Sequence, residues 1–97
     1  MTPEGLVKRD IKVFLNALRD AGLLWYFMPV PNGYGIRGIP DFIGCYQGRF
    51  FAIEAKSATG AATPWQEACA RKIMLAGGLW LLARNVEDIR HVFQRTT

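Results

Sequence analysis

The stretch GIPDFIGCYQGRFFAIEAK, Gly38 to Lys56, reads as two strands joined by Gln47-Gly48. A two-residue loop selects a tight hairpin and fixes its register. Tyr46 then pairs with Arg49, Phe42 with Ile53, and Asp41 falls opposite Glu54. Directly opposed side chains have β-carbons only about 5 Å apart. The two carboxylates therefore repel each other, on a face they share with Ile43, Cys45, Phe50 and Ala52. Lys56 follows Glu54 by two residues, so the period of a strand puts its ammonium on the same face, within reach of both acids.

The flanking sequence supplies the elements that would pack on this hairpin. Thr2 as N-cap, Pro3 at the first helical position and Glu4 in the first turn open a helix carrying Leu6, Val7, Ile11, Phe14, Leu15 and Leu18 at helical spacing, and Gly22 ends it. LLWYFM, Leu23 to Met28, is strand-like, and PVPNGYGIRG, Pro29 to Gly38, is a loop punctuated by prolines and glycines. After the small-residue loop SATGAAT, Thr63 caps a second helix that Pro64 opens, with Gln66 at the capping-box position and Gly77-Gly78 at the end. LWLLA, Leu79 to Ala83, is a further strand, and Asn85 with Asp88 can cap a short last helix. The order α-β-β-β-α-β-α implies an α/β fold with a right-handed crossover and a mixed sheet flanked by helices on both faces.

At 97 residues, 1–97 is expected to form one domain, small enough that a partner subunit would help bury surface. Half of the residues are apolar and a fifth charged, unlike a disordered chain. No apolar run approaches the roughly 20 residues that cross a bilayer, and MTPEGLVKRD lacks the apolar region of a signal peptide, so a cytoplasmic location is expected. Cys45 and Cys69 have neither CxxC spacing nor a nearby histidine, which argues against a disulfide framework or a zinc site and predicts reduced core residues. Trp65 and Trp80 are expected in the core as well, and His91 on the surface. A net charge of +4 hints at a polyanionic partner.

Lys56 could simply pair with Glu54, with Asp41 a turn residue after Ile39-Pro40, but that leaves their common face unexplained. Opposed carboxylates at a strand end form a hard oxygen site for Mg²⁺ or Mn²⁺, ions that keep several waters and hold substrate phosphate. A lysine beside such an ion can orient a water and offset charge on a phosphate. IPDF followed by FAIEAK resembles the Pro-Asp…Glu-x-Lys signature of the PD-(D/E)XK nuclease superfamily, and the element order is similar to its restriction-endonuclease-like core. Within it, Glu4, Gly38 ahead of Asp41, and Gln66 in TPWQ make the chain look like the VRR-NUC (virus-type replication-repair nuclease) group.

That resemblance implies a metal-dependent DNA endonuclease, structure-selective for branched DNA such as four-way junctions and homodimeric, in a bacterial or phage-infected cell. It implies Asp41, Glu54 and the Ala55 carbonyl as metal ligands, Lys56 positioning the attacking water, and Glu4 and Gln66 completing the site, Glu4 as a further ligand. Glu4 also reads as an acid favoured at a helix N-terminus, and Gln66 as a capping residue. Arg37, Tyr34, Lys8 and Lys12 are candidates for DNA contact. The alternatives are a monomeric flap or end-processing nuclease, and a non-catalytic DNA-binding module.

Overall fold

The hairpin turn sets the architecture. Gln47 and Gly48 both adopt positive φ, 50° and 79°, the two-residue geometry whose twist matches that of paired strands. Strand β2 (Phe42–Tyr46) accordingly pairs antiparallel with β3 (Arg49–Ala55), with Tyr46 opposite Arg49 and Phe42 opposite Ile53. This computed structural model describes residues 1–30 and 35–94. Strand β1 (Trp25–Phe27) pairs antiparallel with β2, and β4 (Leu79–Ala83) lies parallel to β3, giving a four-stranded mixed sheet in the order β1-β2-β3-β4.

Strand β1 is half the length its sequence predicts. At one end the Leu23 amide bonds back to the Leu18 carbonyl at 3.0 Å. At the other, Pro29 has no N–H with which to continue the ladder.

Helix α1 (Pro3–Asp20) begins as predicted: the Thr2 hydroxyl accepts from the Gly5 amide at 3.0 Å and Pro3 occupies the first turn. Helix α2 (Pro64–Leu75) forms the crossover between β3 and β4. Helix α3 (Glu87–Arg90) continues into a 3₁₀ turn, His91–Phe93. Asn85 Oδ1 accepts from the Asp88 amide, an orphan donor in the first turn, at 3.0 Å, while Asp88 Oδ2 accepts from the Arg84 amide ahead of the helix at 2.9 Å. His91 is exposed, as predicted.

The core lies on one face of the sheet. Ile11 and Leu15 from α1, Phe42, Phe51 and Ile53 from the hairpin, and Ile89 and Phe93 from the C-terminal turns are buried together. Phe93 meets Phe51 edge-on with centroids 5.0 Å apart. Helix α2 packs against β4, and strand alternation assigns Trp80 and Leu82 to that second face.

Helices flank the sheet as expected, but coverage of the second face is incomplete. One twelve-residue helix spans the β4 side only, so β1 and β2 leave Trp25 60% and Phe27 45% exposed. Cys45, predicted for the core, is exposed there, whereas Cys69 on α2 is buried as expected. Trp65, predicted for the core, is also solvent-facing at 56% exposure: it sits in the first turn of α2, where the exposed Arg37 lies over its ring. Trp80 is partly buried, with no hydrogen-bond partner for its Nε1. No helix among the described residues is long and apolar enough to cross a membrane.

Candidate active site

The second face changes character at the end of β3. Glu54 and Lys56 are the buried charged side chains among the described residues, 3% and 8% exposed. A lone ionised group would not survive such burial, so each requires partners. Lys56 Nζ lies 3.7 Å from Glu54 Oε1 and 3.8 Å from Glu4 Oε1. The Lys56 amide donates to the Ala83 carbonyl at 2.9 Å, which holds the residue at the end of the parallel β3-β4 ladder.

Asp41 immediately precedes β2, one step beyond the last cross-strand pair, Phe42 with Ile53. Its carboxylate replaces a main-chain acceptor: Oδ2 takes the Ala55 amide at 2.9 Å. The hairpin thus keeps Asp41 beside Glu54 and Ala55 although the ladder itself has ended. The Glu54 carboxyl is pushed up to about 7, chiefly by burial and then by the negative charge of Asp41, while Lys56 opposes the shift.

Gln66 makes both the cap contact and a contact with Glu54, which the sequence posed as separate readings. Its Oε1 accepts from the Thr63 amide at 2.9 Å and the Thr63 hydroxyl accepts from the Gln66 amide at 3.2 Å, a complete capping box. Its Nε2 simultaneously donates to Glu54 Oε1 at 2.7 Å. A primary amide has an acceptor end and a donor end, so one side chain starts the helix and fixes the carboxylate. Glu54 Oε2 is left buried without a hydrogen-bond partner.

Gly38 sets the distance between the loop carrying Asp41 and the start of α2. It has φ +78°, and a β-carbon there would come 2.3 Å from the Trp65 carbonyl oxygen and 2.7 Å from the Gln66 nitrogen. Only glycine combines that backbone conformation with that approach.

Glu4 joins the site from the first turn of α1, where it bridges two lysines: Oε1 faces Lys56, and Oε2 lies 4.0 Å from Lys8 Nζ. Lys8, a residue of the helix face and a candidate for DNA contact, has its ammonium 3.2 Å from Asp41 Oδ1. The Glu4 to Lys8 spacing of four residues was the available signal, since such pairs share a helix face. Lys12, exposed one turn further on, makes no ion pair among the described residues. Arg37 is exposed and stacks over the Trp65 ring with its guanidinium carbon 4.8 Å from the centroid. Tyr34 lies outside the described residues.

These groups line one open groove of about 980 Å³, with Glu4, Lys8, Asp41, Glu54, Lys56 and Gln66 at its polar end and Phe27, Ile36 and Ile43 along its apolar side. Among the described residues, no three side chains of the histidine, cysteine or acid types cluster closely enough to cage a metal ion. The donors available are fewer: Asp41, Glu54 and the main chain of Ala55 between Glu54 and Lys56. A two-carboxylate set suits Mg²⁺, which retains waters and completes its shell with substrate oxygens. The unpartnered buried oxygen of Glu54 fits the same donor set, because a buried acceptor without a donor costs free energy that a cation would recover.

No protein-family model matches the chain, and no curated protein matches it significantly.

Proposed function

We propose that this protein is a metal-dependent DNA endonuclease of the VRR-NUC type, built on a restriction-endonuclease-like core and hydrolysing phosphodiester bonds in branched DNA as a homodimer. The observation that carries this reading is the convergence of Asp41, Glu54, Lys56, Gln66 and Glu4 at one end of β3, at the floor of a groove open to solvent. The buried charges Glu54 and Lys56, with Asp41 and Glu4 brought beside them from other parts of the chain, have a stability cost that the fold alone does not require. The strand order with β3 and β4 parallel supports the same reading.

In this reading Asp41, Glu54 and the Ala55 carbonyl hold Mg²⁺ or Mn²⁺. When bound, the ion polarises the scissile phosphate and makes a water more acidic. Lys56 is a buried ammonium with three donor hydrogens. It orients the attacking water and offsets negative charge accumulating on the phosphate oxygens. Gln66 holds Glu54 in one orientation through its 2.7 Å hydrogen bond, and Glu4 holds Lys56 from the opposite side. Arg37 and Lys12 are exposed cations that could meet the DNA backbone. The homodimer draws support from the bare apolar surface of β1, β2 and the start of β3, where Trp25, Phe27 and Phe50 are exposed. A two-fold pair of sites would suit cutting of paired strands.

The test is cleavage of labelled single-stranded, duplex, flap and four-way-junction DNA with Mg²⁺ or Mn²⁺ against chelator. Metal-dependent junction cutting is expected, with a loss of about 100-fold or more in Lys56→Ala. Lys56→Met keeps the buried aliphatic stem and, with melting curves, separates lost chemistry from lost folding. Flap cutting by a monomeric species would replace the junction enzyme by an end-processing one. Metal-independent binding with no cutting would leave a DNA-binding module.

A further inference from the structure

Lys8 is partly exposed on α1, but its ammonium is turned onto the acids of the site rather than out to solvent. The two oxygens of Asp41 have different commitments. Oδ2 accepts the Ala55 amide at 2.9 Å, a hydrogen bond that continues the hairpin. Oδ1 is therefore the oxygen that a cation could take without breaking main-chain structure, and Lys8 Nζ stands 3.2 Å from it. Glu54 is divided in the same way, with Oε1 shared by Gln66 and Lys56 and Oε2 buried without a partner. A divalent ion drawing one oxygen from each acid would find Oε2 vacant and Oδ1 held by Lys8.

The hold is weak. The Lys8 side chain is 37% exposed and lines the groove wall, and ion pairs this open contribute little because water screens them and the long side chain loses freedom. A lysine released from Asp41 remains in the groove, on an otherwise unchanged helix, with the half-exposed Glu4 carboxylate 4.0 Å away and an entering phosphate as the further anion it can meet.

We propose that Lys8 is a displaceable counterion: it occupies Asp41 Oδ1 until a divalent cation takes that oxygen, and is then freed to bind a phosphate of the substrate. This rests on the metal site proposed at Asp41 and Glu54. By linkage, a phosphate ligand that draws Lys8 away raises affinity for the cation, and the cation raises affinity for the phosphate by the same factor. Lys8 contacts the substrate phosphate in this scheme, and its effect is read in binding.

The experiment has two arms on the full chain. In the first, Mn²⁺ binding without DNA is measured by calorimetry for the wild type, Lys8→Met and Lys12→Met, with melting curves confirming folding. Lys8→Met is expected to bind Mn²⁺ about threefold to fivefold more tightly, the scale of one exposed ion pair removed, while Lys12→Met matches the wild type. In the second, binding of a labelled DNA junction is measured in chelator, where no cutting occurs. Asp41→Asn frees Lys8 and is expected to tighten binding; adding Lys8→Met should cancel that gain, although Lys8→Met alone changes little. Equal Mn²⁺ affinity in wild type and Lys8→Met, or a gain in Asp41→Asn that survives the second substitution, would overturn the counterion role while leaving the metal site standing. Absence of Mn²⁺ binding in all three proteins would remove the metal site itself, and the counterion role with it.

Discussion

The two faces of the hairpin differ by one residue of register and by almost everything else. Phe42, Phe51, Ile53 and Ala55 point into a packed aromatic and aliphatic core. Their immediate neighbours Asp41, Glu54 and Lys56 point the other way and assemble a charged site. The core face gains stability from every contact it makes, whereas the site face holds like charges together and leaves an acceptor unmet. A strand buried on both sides therefore carries a stabilising face and a strained one, and the first must outweigh the second.

Truncation on the core face should have the largest effect. Phe51 is 1% exposed and stacks edge-on against Phe93, so Phe51→Ala is expected to lose about 3–5 kcal/mol in denaturant unfolding. A loss under 1 kcal/mol would break the contrast between the faces.

The site face should respond with the opposite sign. Glu54 carries a folded-state pKa of about 7 against an ordinary 4.5, so between those values the folded protein binds the proton that the unfolded chain has released. Stability should then fall as pH rises through that window, by up to roughly 3 kcal/mol, and level off above it. Glu54→Gln should flatten this slope and be more stable than the wild type at pH 8, while losing cleavage. Mn²⁺ should restore part of the wild type's lost stability above pH 7 and none of the variant's. Thermal melts across pH, with and without the ion, measure all three effects.

The seam between the loop and α2 should be more sensitive than its small size suggests. Gly38→Ala places a β-carbon against the main chain of Trp65 and Gln66 in a backbone conformation alanine resists. A loss of about 2 kcal/mol is expected, together with reduced cleavage, since Asp41 and Gln66 are held on the two sides of that contact. The smallest effect belongs to the turn that sets the register. Gln47 sits at φ 50°, which asparagine tolerates better, so Gln47→Asn should stabilise by under about 1 kcal/mol and leave both faces unchanged.

Local rules made much of this legible in the sequence. The Gln47-Gly48 turn, the alternation from Asp41 to Lys56 and the Thr63-Pro64-Gln66 start of α2 all depend on neighbours within a few residues, and the described structure contains them. What stayed hidden depends on how elements meet. That α2 would cover β4 and leave Cys45 and Trp25 bare follows from helix placement, which strand periodicity does not encode. That Lys8 would reach Asp41 rather than solvent follows from the docking of α1 at the end of the sheet, across 33 positions of sequence. Gln66 was readable as a cap or as a site residue, but the simultaneous use of both ends of its amide emerges only when Glu54 is brought beside it.

Incomplete coverage of the sheet also makes the molecule chemically addressable. Of its two thiols, Cys45 is exposed on the bare strands, while Cys69 is buried on the inner side of α2 with burial raising its pKa. The thiolate is the reactive form, so a mild alkylating reagent should modify Cys45 and spare Cys69. The alkylation rate at that one sulfur then becomes a solution gauge of whether the apolar face is open or occupied, readable by intact mass without altering a residue of the charged site.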